Sequence, residues 1–542
     1  MPKTTPGRRT LPLAALAASL ALAPAHAQEA APSPGTTPER TGYRETSRYA
    51  DVVAFMEAVD RASPRVHLTT FGYTMEGRAL PLAVVGDVRD ASPEAVRASG
   101  KTVVYLQGSI HAGEVEGKEA LQQLLREVAR GGHRAWADSL VLLVAPIFNA
   151  DGNERVRLDH RPHQHGPVAG MGTRNNAQDL NINRDHTKLD TPEARAHAAL
   201  LGAYDPHVLV DLHTTNGTYH AYRLTYAPPM HPGTDPAIVA LLRGEWLPEV
   251  TRRAKRERDW DLWYYGNVPS AESPWAAARG AERGWYTFDH RPRFSNNYWG
   301  LRNRFGILSE TYSYLPFEER IDVARGFVVG VLDWAAANAG RIRRLTAEAD
   351  RRSVVGEALA LTARVRRGGN VEILMGAVAE ERNPYSGDVM LRRLDVRRPE
   401  TMPDFGTFEA AATERAPAAY LVSPALGDAL DRLRAHGVGV EPLAAGARLR
   451  VEEFRIDSAS RAPQASEGRH ERRLHGAWAA AERDVPAGWL RVRVDQPLGR
   501  LAFILLEPRS DDGFAAWGLL DAALEGAAVY PVLREPAPAA RR

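Results

Sequence analysis

The sequence predicts an α/β sheet flanked by helices, followed by a β-rich accessory region. Three observations carry this reading. Strand and helix signals alternate between about residues 45 and 345, the pattern of helices covering a sheet. The run Leu140 to Ile147 is wholly apolar, as in a strand buried on both faces. Beyond residue 345 the pattern changes to short apolar segments broken by Gly, Pro and Arg.

Taken in order, Lys3, Arg8 and Arg9 precede the apolar run Leu11 to Ala25, and Ala25-His-Ala27 offers small residues at a cleavage position. Residues 1–27 therefore read as an export signal, and the expected address is the periplasm or the exterior. That run is short of the ~18 residues of a membrane span, and no later run approaches that length. Residues 28–44 form a proline-containing lead-in. Val52, Val53, Phe55, Met56 and Val59 recur at helical spacing, and residues 66 to 86 read as two strands around Met75-Glu-Gly-Arg78.

A strand over 102–108 then precedes a helix over 115–130, with Leu121, Leu124, Leu125 and Val128 on one face. A helix over 191–203 leads into a strand over 207–212. A helix over 235–256, a strand over 305–309 and a helix over 317–337 complete this part. In the region 346–542, strands are expected at 356–364, 370–375, 418–422 and 490–494, with helices at 426–435 and 517–523. Residues 461–471 read as an exposed loop.

The 542 residues carry 69 Lys and Arg against 67 Asp and Glu, interspersed along the chain, which argues against a nucleic-acid partner. Cysteine is absent, so stability comes from burial and any zinc ligands are His, Asp or Glu. The motif His111-Ala-Gly-Glu114 follows a predicted strand and opens a helix, and Asp211-Leu-His213 ends another strand. Two imidazoles and a carboxylate are a common catalytic zinc set, with a fourth position left for water. His26-Ala-Gln-Glu29 repeats the spacing across the expected cleavage point, so spacing alone proves nothing. Context distinguishes the two, because function in open α/β sheets collects at the carboxyl ends of strands.

Glu310, after the strand in Gly306-Ile-Leu-Ser-Glu310, stands at the same edge and is the candidate to take and return a proton. By itself it would read as a solvated strand-end glutamate. Likewise Arg174, Asn183 and Arg184 lie in a polar stretch that would read as a solvated loop, or as groups that hold a carboxylate and an oxyanion.

Together and in order, His111-Ala-Gly-Glu114, Asn149-Ala-Asp-Gly152, Arg174-Asn-Asn, Asp179-Leu-Asn-Ile-Asn183-Arg184, His213 and Glu310 resemble the zinc carboxypeptidase family, typified by carboxypeptidase A. The resemblance spans roughly residues 45 to 340. It implies an eight-stranded mixed sheet and one zinc ion held by His111, Glu114 and His213. It further implies Glu310 as general base and acid, Arg174 as oxyanion stabiliser, and Asn183 with Arg184 as the clamp on a substrate carboxylate.

The family's Asp-Leu-Asn-Arg run appears here as Asp-Leu-Asn-Ile-Asn-Arg, which leaves the register of the clamp open. The family's mobile tyrosine has two candidates, Tyr286 and Tyr298, of which Tyr298 is preferred. The expected domains are thus 1–27, 28–44, a catalytic part 45–345 and an accessory part 346–542. The expected activity is a metallocarboxypeptidase acting on a peptide or acylated amino acid with a free carboxylate. The alternatives are a zinc deacylase or amidase on a non-peptide or cell-wall substrate, and an inactive binding module. His160, His163 and His165 with Arg157 and Arg161 form a basic loop read as solvated, with a second metal site as the other reading.

Overall fold

A computed structural model of the chain describes residues 1–3, 34–269 and 282–538. The expected export signal lies outside the described residues. Among them, no helix is long and apolar enough to cross a membrane. The first nine strands are β1 (Val66–Tyr73), β2 (Ala79–Val85), β3 (Thr102–Gly108), β4 (Leu140–Ala145), β5 (Val208–Thr215), β6 (Leu224–Ala227), β7 (Leu262–Tyr264), β8 (Trp285–Tyr286) and β9 (Phe305–Tyr312).

All except β8 form one mixed sheet in the order β1-β2-β4-β3-β5-β9-β6-β7, the eight-stranded arrangement that was expected. Its middle is parallel, β4 to β3, β3 to β5 and β5 to β9, whereas β2 joins β4 and β6 joins β9 in antiparallel fashion. Every residue of β3, β4 and β5 is buried. Strands covered on both faces do not alternate with polar residues, which is why β4 is an unbroken apolar run and β3 and β5 carry apolar runs at 103–106 and 208–210, with polar groups entering toward their carboxyl ends.

Alternate residues of these strands face different cores, as the two-residue period of a strand requires. Val104 and Leu106 of β3, with Val208 and Val210 of β5, pack against the helices Tyr49–Ala62, Val115–Ala129 and Phe317–Ala337 through Val52, Leu121, Leu124 and Val328. Val103 and Tyr105 face the other way, with Leu143 and Leu209. On that face they share a continuous apolar cluster with Leu361, Tyr420, Val422, Phe454, Leu501 and Phe503. The region after residue 345 therefore supplies much of the cover for one face of the central sheet.

That region is β-rich, as expected. It comprises β10 (Ala358–Arg366), β11 (Asn370–Met375), β12 (Val378–Arg382), β13 (Val389–Arg393), β14 (Arg398–Phe405), β15 (Thr407–Arg415), β16 (Ala419–Val422), β17 (Glu441–Pro442), β18 (Ala447–Arg461), β19 (Arg472–Val485), β20 (Leu490–Arg493) and β21 (Val532–Glu535). Its largest sheet has the order β17-β20-β16-β21-β18-β19. A second sheet joins this region to the preceding one directly, because β14 pairs in parallel with β8.

Two expected helices differ from the sequence reading. The segment 235–256 is divided into Pro236–Leu241, a π turn Leu242–Trp246, and Leu247–Arg258. Pro248 has no N–H to offer the carbonyl four residues back, so the regular ladder is interrupted just before it. Around Trp517 the chain makes turns, and only Asp521–Leu524 is helical. Gly518 adopts the left-handed conformation (φ +67°), which a helix interior does not accommodate. The short strands β6 and β7 had no counterpart in the sequence reading.

Candidate active site

The site lies at the carboxyl edge of the parallel strands. The chain leaves β3 through Ser109, whose φ of +58° turns it sharply, and returns into the helix Val115–Ala129 with Glu114 at its N-cap. This turn sets His111 and Glu114 beside the end of β5. The close fit requires Gly113. A Cβ there would stand 2.6 Å from the Gly172 carbonyl oxygen and 2.8 Å from Arg161 Nε.

His111, Glu114 and His213 are buried, and one ligand atom from each lies within 4.8 Å of the others. His111 Nδ1 is 3.0 Å from Glu114 Oε1, and His213 Nδ1 is 2.8 Å from Glu114 Oε2. Both rings direct Nδ1 inward. Their outer nitrogens are engaged, His111 Nε2 with Asn181 Oδ1 at 3.1 Å and His213 Nε2 with Asp211 Oδ2 at 2.9 Å. Such outer hydrogen bonds fix the tautomer that leaves the inner nitrogen free to bind metal. Two imidazoles and one carboxylate whose donor atoms converge are a donor set that fits zinc, which would take the place of any proton on the inner nitrogens.

The charges around this centre are uneven. Burial, with Arg174 adding to it, pushes the His111 imidazole down to about 3, so it stands neutral. Burial opposes charge on His213 too, yet the Asp211 and Glu114 carboxylates hold it well above its ordinary value. Burial also opposes ionisation of Glu114, but His111, Arg161 and His213 keep it well below the usual carboxylate range. Asp211 is buried, and its Oδ2 also accepts a 2.6 Å hydrogen bond from Ser295 Oγ. Replacing it, Asp211→Asn, is expected to weaken zinc binding about 10–100-fold, the usual effect of removing an outer-shell partner. Competition with a chelator measures this, and unchanged affinity would show that Asp211 does not orient His213.

Glu310 is placed by strand register. β5 and β9 pair in parallel with His213 directly opposite Glu310, so the two side chains rise from adjacent positions at the same edge. Glu310 lines a cavity of about 150 Å³ together with the three potential ligands, Arg174, Asn183, Arg184, Tyr265, Phe288 and Phe294. Burial raises its carboxyl to about 8, against the pull of His213 and Arg174. Arg174 reaches in from the exposed rim, its Nη1 3.4 Å from His111 Nδ1 and 3.9 Å from Glu114 Oε1.

Ile182 is buried and separates Asn181 from Asn183. Asn181 turns to His111, while Asn183 and Arg184 both line the cavity. Asn183 Nδ2 lies 3.3 Å from His213 Nε2, and its Oδ1 accepts from Ser295 N at 3.2 Å. The Arg184 guanidinium stacks 3.7 Å above the Phe294 ring and donates to the Asn183 carbonyl at 2.6 Å. Neither partner is a carboxylate. Burial and Arg174 together lower Arg184 to about 9, which leaves it cationic at neutral pH.

Tyr298, preferred from the sequence as the site tyrosine, does not line this cavity. It is buried, and its hydroxyl meets His436 Nδ1 at 2.8 Å and Arg302 Nη1 at 3.2 Å. The helix Ser295–Leu301 directs Ser295 to Asp211, and Tyr298, nearly one turn on, packs into the cluster shared with the C-terminal region. Tyr286 stacks on Phe405 at 4.0 Å. The tyrosine that does line the cavity is Tyr265, just after β7, whose hydroxyl accepts from Asn267 Nδ2 at 3.1 Å. No motif marked it in the sequence.

The basic loop also divides. Arg161 reaches Glu114 Oε1 at 2.6 Å, a site contact with no sequence signal. His160 and His163 pair with separate backbone carbonyls, Met171 and Val389, and His165 faces Glu381 at 3.5 Å. These histidines do not converge. Asn149 caps a short helix through Gly152 N and donates to the Arg174 carbonyl. Asp151 instead secures the β1–β2 turn through Thr74, Glu76 and Arg78.

Three potential metal ligands at the carboxyl edge of a mixed sheet, with a buried carboxyl group on the adjacent strand, form an arrangement that suits a metal-dependent hydrolase. Residues 52–232 match the zinc carboxypeptidase family, a similarity that supports a zinc metallocarboxypeptidase hydrolase. Carboxypeptidase 2 of Trichophyton tonsurans is 23% identical over 529 residues, which cover 93% of this chain and 89% of that protein. A probable carboxypeptidase 2 of Trichophyton verrucosum is 28% identical over 191 residues, 33% of this chain and 32% of that one. Among solved structures, a metallo-carboxypeptidase from Burkholderia cenocepacia aligns with a TM-score of 0.40 at 17% identity, covering 55% of this chain and 71% of that one.

Proposed function

We propose that this metallocarboxypeptidase is exported and removes the C-terminal residue of peptides, with Glu310 as the proton carrier and Arg184 with Asn183 as the carboxylate clamp. The observation that supports this most is the direct pairing of His213 with Glu310 across β5 and β9, with an arginine in the same cavity that forms no ion pair among the described residues. In this reading His111, Glu114 and His213 hold the zinc. The ion, when bound, polarises the scissile carbonyl and eases loss of a proton from water.

The chain's own groups do the rest. Arg184 and Asn183 fix the substrate carboxylate by charge-assisted hydrogen bonds, which sets the last peptide bond beside Glu310. Glu310 accepts the proton of the attacking water and delivers it to the departing amine nitrogen. Arg174, partly exposed at the rim, donates to the oxygen on which negative charge develops. Residues 45–345 would act as the catalytic part, and 346–542 as the accessory part that covers its sheet.

A substrate panel tests the reading: zinc-loaded protein with peptides bearing free C-termini, the same peptides amidated, and acylated amino acids. Release of single C-terminal residues from the free peptides alone is the expected result. Turnover of acylated amino acids without peptide cleavage would instead identify a deacylase.

A further inference from the structure

We propose that Glu467, in the accessory part, is a positioning and tuning residue of the carboxylate clamp. The proposal rests on the carboxypeptidase reading and names an element that regulates that same site. β18 and β19 are long, and they pair up to Arg461 opposite Arg472. A register shift between Ile456 and Ser458 bends this arm. Its connecting loop, expected to be a plain exposed loop, lies on the polar stretch that carries Asn181, Asn183 and Arg184.

Three side chains dock it. Arg469 forms a two-pronged ion pair with Asp190 at 2.6 and 2.7 Å, and Glu471 accepts from Arg293 at 2.7 Å. At the tip, Glu467 Oε2 accepts a 2.8 Å hydrogen bond from the backbone N–H of Asn181. Asn181 in turn holds His111 with its side-chain oxygen, and the same oxygen accepts from Asn183 N at 3.0 Å. One carboxylate from the far end of the chain thus secures the segment that orients a metal ligand and leads into the clamp.

The backbone at the tip marks Glu467 as more than a linker. Ser466 and Arg469 bridge to each other, and the two residues between them both have positive φ, Glu467 at +50° and Gly468 at +77°. This is the geometry of a tight turn whose central positions favour Asn, Asp or Gly. A glutamate there is strained, and such strain persists where the surroundings hold it for a purpose.

Its charge has a second effect. Glu467 is among the negative groups that favour the charged forms of both Arg174 and Arg184. It therefore offsets part of the positive field that draws in a substrate carboxylate, which limits how tightly substrate and product are held.

The test uses the full zinc-loaded chain with a free C-terminal peptide, comparing Glu467→Gln with Glu467→Ala. Gln keeps an oxygen for Asn181 N but removes the charge. KM is expected to fall about fivefold with kcat unchanged, as expected for one partly screened charge. Ala removes the acceptor as well, so zinc affinity and kcat are expected to fall severalfold. Unchanged KM in the Gln variant, or identical behaviour of the two variants, overturns the proposal while wild-type peptidase activity stands. Absence of peptide cleavage by the wild type overturns the underlying carboxypeptidase reading as well.

Discussion

Replacing Glu310 by Gln is expected to lower kcat on peptides about 10²–10⁴-fold, the usual contribution of a positioned acid–base group. Zinc content should be retained. Glu310 stands across from His213 in strand register but outside the ligand set, so its loss removes proton transfer without removing a ligand. Metal analysis beside single-turnover kinetics measures both quantities. Full turnover in the zinc-loaded variant would eliminate Glu310 as the proton carrier.

The same variant has a consequence for stability in chelator-treated protein. The Glu310 carboxyl is raised by burial to about 8, above its ordinary 4.5. The protonated form is therefore favoured by the fold. That contribution is complete below 4.5 and is lost as pH rises through about 8. Glutamine does not ionise, so metal-free Glu310→Gln should melt at a higher temperature than wild type above pH 8. Thermal melts across pH test this, and equal alkaline melting temperatures would refute it.

Arg184→Ala is expected to raise KM for free C-terminal peptides about 100-fold and to change little for their amidated counterparts. The guanidinium rests against the Phe294 ring and a backbone carbonyl, so its charge remains available to a ligand. Removing one side of a desolvated charge pair costs on the order of 2–5 kcal/mol, and 100-fold corresponds to the lower part of that range. The contrast between free and amidated peptides separates a clamp from a structural arginine. Equal effects on the two substrates would remove the clamp assignment.

Much of the fold before residue 345 was legible because burial leaves a direct mark on composition. β4 is apolar throughout, and β3 and β5 carry apolar runs at 103–106 and 208–210, since both faces of the sheet are covered; their carboxyl ends then located His111 and His213. The helix Val115–Ala129 was readable from its spaced leucines. The short strands β6 and β7 left too brief a pattern to register, and with them went Tyr265, which their edge delivers to the cavity. Tyr298 looked suitable by position in the chain, but its helical phase turns it toward His436. The loop at 461–471 was correctly polar, yet polarity does not distinguish a solvated loop from one whose charges are docked.

The sequence by itself determined the main alternation of strands and helices and offered His111, Glu114, His213 and Glu310 as candidates, because these follow from local periodicity and from an ordered set of short motifs. Tertiary structure alone decided which groups from distant segments meet. Arg161 joins Glu114 across 47 positions, and Glu467 joins Asn181 across 286. Such pairings depend on how sheets stack and arms bend, and no local spacing records them. For the same reason, only the fold revealed that the C-terminal region covers the central sheet, since alternate residues of one strand belong to two different cores.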